Sequence, residues 1–130
     1  MKSPIIVTAI LSVLLVGCGG KSFVPADGKV VFEDGSPLMR GDIAFSTDTF
    51  MATGTIREDG TFVLSSVKPD DGLPPGEYIV TISSFIIDEK DRTIHLIDPS
   101  FSDQNLSHLR ASVAKKGTNR FDFTVKKPAK

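Results

Sequence analysis

Tryptophan is absent from this chain, tyrosine and cysteine occur once each, and histidine occurs twice among 130 residues. Without tryptophan, and with a single tyrosine, the chain has little to build a row of exposed rings on which a sugar could stack. One cysteine cannot close an intramolecular disulfide, so packing and hydrogen bonds must hold the fold whatever the redox compartment. The formal net charge of -1 and a pI near 6.1 exclude an overall electrostatic case for nucleic acid or for an anionic surface. Long apolar runs are scarce as well. The longest, Ile5 to Val16, falls short of the roughly 20 residues needed to cross a hydrocarbon core.

What is present begins with that run. Met1 and Lys2 form a short positive segment, and the apolar stretch after them has the length of an export signal, which predicts a signal-peptide helix. Leu15, Val16, Gly17 and Cys18 then match the bacterial lipobox and resemble a lipoprotein signal-peptidase site. The resemblance implies that residues 1–17 are removed, that Cys18 becomes the first mature residue, and that its thiol carries a diacylglycerol thioether. The freed amine would take a further acyl chain, and two or more chains anchor stably where one is marginal. Membrane lipid is therefore the first expected partner, and the expected location is the extracytoplasmic cell envelope. Gly19 stands where an aspartate tends to retain such proteins at the inner membrane, which turns the expectation toward an outer membrane or cell surface.

Beyond Gly28 the periodicity is that of strands. Val30 and Phe32, Ile43 and Phe45, Ala52 and Ile56, Phe62 and Leu64, and Tyr78, Val80 and Ile82 recur at alternate positions. Leu109, Ala111 and Val113 follow, and then Phe121, Phe123 and Val125 set against Arg120, Asp122, Thr124 and Lys126. Asp34-Gly35, Asp59-Gly60, Pro75-Gly76 and Lys116-Gly117 punctuate these runs with turn chemistry. About seven short strands so separated predict an all-β, antiparallel two-layer sandwich, with a barrel as the alternative. The domain organisation read from this is a signal peptide over 1–17, a lipidated cysteine and tether over 18–27, a sandwich over 28–127 and a tail over 128–130.

Two stretches interrupt the rhythm. The proline-rich segment Val67 to Gly76 reads as a surface connection without ladder hydrogen bonds. The mixed segment Phe85 to Ser107 is long for a connection in a compact domain, and such connections are commonly functional. These two segments and their margins supply the candidates for partner contact: Asp70, Asp71, Asp88, Arg92, His95, Asp98 and His108.

The run Asp59-Gly60-Thr61-Phe62-Val63-Leu64, a proline-rich gap, and Pro74-Pro75-Gly76-Glu77-Tyr78-Ile79-Val80-Thr81-Ile82 resemble a known signature. It is the D-G-x-F-x-L … P-G-x-Y-x-V-x-I pattern of carboxypeptidase regulatory-like, transthyretin-like (prealbumin-like) sandwiches. With the lipobox, the order of parts is similar to that of small transthyretin-like lipoproteins of planctomycete-type bacteria. The resemblance covers most of Gly28 to Lys127 and implies fold and compartment; such modules often stand alone in the envelope with no assigned activity. Fold of this kind does not set function.

The chemistry-bearing residues are sparse. Transthyretin-like hydroxyisourate hydrolases use histidine and arginine motifs and a Tyr-Arg-Gly-Ser-type tail, whereas this chain ends in FTVKKPAK. No nucleophile motif accompanies the serines, and no third ligand accompanies His95 and His108. Acidic loop residues (Asp70, Asp71, Asp88, Glu89, Asp91, Asp98 and Asp103) invite a calcium reading, but that ion needs about six to eight converging oxygens and the ligand spacing is missing. Residues 106–130 carry seven Lys or Arg and one acid, against seven basic and fifteen acidic residues over 18–105. Cross-strand pairing would offset that asymmetry. The expectation is a lipid-anchored envelope protein with no catalytic residues, cofactor or metal, contacting an envelope protein or polymer and not nucleic acid. A carbohydrate- or calcium-dependent binding module is the alternative, and a hydrolase stands third.

Overall fold

The computed structural model of the chain describes residues 22–129. The expected signal-peptide helix, the lipobox residues Leu15, Val16 and Gly17, and Cys18 lie outside the described residues. The fold is all-β. Its strands are β1 (Asp27–Phe32), β2 (Gly41–Ser46), β3 (Met51–Ile56), β4 (Thr61–Val63), β5 (Gly76–Ser83), β6 (Phe85–Ile87), β7 (Thr93–His95), β8 (Arg110–Val113) and β9 (Arg120–Val125). A short 3-10 turn, Pro99–Ser102, stands between β7 and β8.

Seven of these strands form the two layers of a sandwich: one sheet in the order β4-β1-β9, the other in the order β3-β2-β5-β8. The alternation read from the sequence gives the inner faces. Val30, Ile43, Phe45, Ala52, Phe62, Leu64, Val80, Ile82 and Val125 are buried to within one per cent of completeness, and Tyr78 and Phe123 nearly so. Phe45 on β2 is the hub: its ring lies 6.3, 5.4 and 6.0 Å from those of Phe62, Phe121 and Phe123 on the facing sheet. These tilted and edge-on approaches are the geometries that aromatic quadrupoles favour, and they join the two layers through one residue.

Pairing is antiparallel throughout except between β1 and β9, which run parallel with Asp27 opposite Arg120 and Phe32 opposite Val125. This register also answers the charge asymmetry: Lys29 lies opposite Asp122, and the Arg120 guanidinium is 3.8 Å from the Asp27 carboxylate. Between β4 and β9 the chain of β1 has no room for a side chain at Gly28. A Cβ there would sit 2.7 Å from the Phe62 ring and against the Phe121 carbonyl oxygen.

The echo of Asp34-Gly35 in Asp59-Gly60 is one turn built twice. In each, the aspartate Oδ1 accepts from the backbone N–H two residues on, at 3.0 Å, and from that residue's hydroxyl at 2.6 Å, with Ser36 and Thr61 as donors. Those bonds hold both carboxyls below the usual aspartate range, the hydroxyl contributing most. The two turns serve different connections. Asp59 closes the β3–β4 turn, whereas after Asp34 the chain doubles back along β1, Leu38 donating to the Val30 carbonyl, before crossing to β2.

Three expectations are corrected. The proline-rich segment does carry ladder bonds: Val24 and Leu73 exchange both backbone hydrogen bonds, and Leu73 is fully buried. Prolines 74 and 75 lie just outside that bridge, so their missing N–H groups cost it nothing. For the same reason packed structure begins at Val24 and Ala26, ahead of the Gly28 at which the sequence reading starts the sandwich. The segment from Phe85 to Ser107, read as one long mixed connection, holds the two-stranded β6–β7 sheet and the 3-10 turn.

Candidate functional site

The strand directions divide the sandwich into two ends. Residue 24 bridges Leu73, just before β5 begins, so the starts of β1 and β5 share one end, together with the β8–β9 loop. The parallel β9 and the pairing of Asp42 with Ser83 put Phe32, Val125, the start of β2 and the end of β5 at the other. Six residues of β1 at about 3.3 Å each separate the two ends by roughly 20 Å.

The far end carries an open apolar groove of about 530 Å³. Three chain segments build it: Phe32 with Pro37 to Arg40, His95 with Leu96, and Lys127 with Pro128. Each wall is tied down by a specific bond. The Ser84 hydroxyl donates to the Arg40 carbonyl at 2.7 Å, Leu96 N–H to the Ser84 carbonyl at 2.9 Å, and Asp98 N–H to the Lys126 carbonyl at 2.9 Å. Lys127 lays its ammonium 5.7 Å from the centre of the Phe32 ring, a favourable contact with the negative ring face.

The β6–β7 hairpin stands beside the groove. Phe85, Ile86 and Ile87 are consecutive, so apolar side chains occupy both faces of a ribbon that no third strand joins. The consequence is exposure of large hydrophobic residues: Phe85 46%, Ile87 54% and Ile94 43%, with Met39 of the groove at 58%. Phe85 and His95 pair across the ribbon and their rings meet edge-on at 6.3 Å.

Most of the sequence-predicted acidic candidates hold turns together. Asp88 accepts from the backbone N–H groups of Lys90 and Arg92 at the hairpin tip and pairs with the Arg92 guanidinium at 2.8 Å. The Arg92 amide is the main cause of its lowered pKa. Asp98 caps the 3-10 turn through Ser100 N–H, which likewise pulls its pKa down. At the opposite end, partial desolvation pushes the Asp71 carboxyl up, but the amides of Ser66, Lys68 and Val67 outweigh it, and the net shift is downward. Asp70 next to it takes a left-handed backbone, with its N–H on the Ser65 hydroxyl.

His95 lines the groove, and His108 is exposed ahead of β8. The candidates are therefore split between the two ends, and only Asp88, Arg92, His95 and Asp98 belong to the hairpin and groove region. Among the described residues no three histidine, cysteine, aspartate or glutamate side chains converge as a metal site, and no helix is long and apolar enough to cross a membrane. Sequence reasoning missed Phe32, Leu38, Met39, Arg40, Leu96 and Lys127 as lining residues. The consecutive apolar run Phe85-Ile86-Ile87, exposed at Phe85 and Ile87, is the one local signal in the sequence that this end differs from the rest.

No protein-family model matches the chain, and no curated protein is significantly similar to it. Among solved structures the sandwich is similar to part of a 9R-lipoxygenase from Cyanothece PCC8801, at 13% identity and a TM-score of 0.43. The match covers 82% of this chain and 17% of that one, and a likeness of this degree carries no argument about fold or function.

Proposed function

We propose that the chain is a lipid-anchored protein of the bacterial cell envelope whose transthyretin-like sandwich is a non-catalytic interaction module. The observation that carries the reading is the opposition of the two ends: an apolar groove and hairpin stand about 20 Å from the end at which residue 22 enters. Four residues beyond Cys18 reach at most about 14 Å, so an anchor there would hold the entry end near the bilayer and present the groove outward. Exposed apolar patches bordered by polar residues mark interaction surfaces.

The residues of the family signature support the fold part of the proposal. Asp59 forms its turn, Phe62 and Leu64 are fully buried, and Tyr78, Val80 and Ile82 project into the core from β5. The Tyr78 hydroxyl donates to the Pro74 carbonyl at 2.7 Å, linking the P-P-G turn to the strand that follows. Burial raises its pKa.

Intact-mass analysis of protein extracted from membranes tests the anchor. The expected result is a chain that starts at a diacylated Cys18, and Cys18→Ala should leave a folded protein in the wrong fraction. An unmodified Cys18 or another N-terminus would overturn it.

A further inference from the structure

We infer that the groove between Leu38, Met39 and Leu96 is the docking site for a segment of a partner protein that carries apolar side chains next to carboxylates. The inference rests on the proposed reading of the sandwich as an interaction module and does not depend on the lipid anchor. The floor is apolar: Phe32, Pro37, Leu38, Leu96 and Pro128 contribute carbon surface, and Met39 adds an adaptable thioether on the rim. The charged side chains that line it are Arg40 and Lys127, with the imidazole of His95 between apolar neighbours, and no acidic residue takes part in the lining.

Arg40 makes no ion pair or side-chain hydrogen bond among the described residues, so its guanidinium is available to an incoming carboxylate. Glu33 and Asp34 line a neighbouring recess that shares Phe32 and Lys127 with the groove, and the charge of Lys127 acts on the Asp34 carboxyl, whose Oδ1 is engaged by the Ser36 N–H and hydroxyl. Lys127 itself forms no ion pair among the described residues. A partner segment of apolar character alone would leave the Arg40 guanidinium without a counter-charge, and a basic segment would meet like charge from Arg40 and Lys127. An acidic-apolar segment satisfies floor and rim together, which is the complementarity that selects partners and orients them.

The test is selection of a random heptapeptide display library on the full chain purified in detergent, followed by affinity measurement with the enriched synthetic peptides. Enrichment of peptides that combine Leu, Ile, Val or Phe with Asp or Glu is expected. Their affinity should fall at least tenfold on Met39→Asp and on the double variant Arg40→Glu with Lys127→Glu, while Arg40→Lys with Lys127→Arg retains it. Circular dichroism and denaturation midpoints confirm that each variant is folded. Peptides that are basic, or that bind the groove variants as tightly as the parent, would overturn the groove assignment and leave the module reading standing. No enrichment of any peptide would overturn both. Sedimentation velocity supplies the remaining arm: a dimer dissociated by Met39→Asp would show that the occupant is a second copy and overturn the inference.

Discussion

Strand β9 and the β6–β7 hairpin are both rich in apolar side chains, yet the fold disposes of them in opposite ways. On β9, Phe121, Phe123 and Val125 alternate with Arg120, Asp122 and Thr124, so one face is apolar and the facing sheet covers it. On β6 the apolar residues are consecutive, and the ribbon has two apolar faces with no sheet to cover either. Apolar composition alone does not make core. A two-stranded ribbon is marginal by itself, so what the hairpin exposes remains as surface, and backbone and Ser84 bonds tie its base to the sandwich.

The comparison is sharpened first by Phe123→Ala. A buried ring of this size contributes about 1.5–3 kcal/mol by area, and with the cavity left between Phe45 and Phe62 the loss should reach about 3–5 kcal/mol in chemical denaturation. Gly28→Ala comes next. Its added methyl meets the Phe121 carbonyl and the Phe62 ring in the middle of the sheet, and overpacking of this kind costs about 1–3 kcal/mol.

A smaller effect should follow pH. The carboxyls of Asp34 and Asp59 are held below their ordinary value near 3.8 by hydroxyl and amide donors present only in the folded chain. Because the folded pKa is lowered, their stabilisation is complete above the unfolded value and disappears as pH falls through the folded one. Asp59→Asn keeps an acceptor for Thr61 but removes the titration, so acid unfolding below about pH 4 should be less steep in that variant. An unchanged acid limb would show that the turn does not sense the charge. Smallest of all, Lys126→Ala and Met39→Ala should each shift stability by no more than about 0.5 kcal/mol, since both side chains are exposed. A loss at Met39 comparable with that at Phe123 would place the groove in the core and break the contrast.

The same contrast explains what the sequence reveals. The phases of β5 and β9 are legible because period two is a local signal and their buried faces match it residue by residue. The twin Asp-Gly turns are legible for a similar reason, as their bonds span two residues. The Val24–Leu73 bridge is not, because a single pair of residues has no period and Pro74 and Pro75 hide it. The hairpin tip is also concealed: Asp88 to Asp91 contains no glycine, and Asp91 itself adopts the positive φ of 61°. Parallel pairing of β1 with β9 joins the first and last described strands of the chain and leaves no local trace. The groove is the extreme case, since Phe32 with residues 37–40, residues 95–96 and residues 127–128 lie far apart in sequence and only the fold brings them together.

The central claim is that the far end of the sandwich is surface kept for a partner, and a photo-crosslinking side chain placed at position 39 in the native cells tests it most directly. The account predicts one protein adduct, mapped to an acidic-apolar segment and lost when Arg40→Glu and Lys127→Glu are introduced, with none from the same probe at exposed Ser112 on β8. Absence of an adduct at 39, or the same adduct from 112, would contradict it.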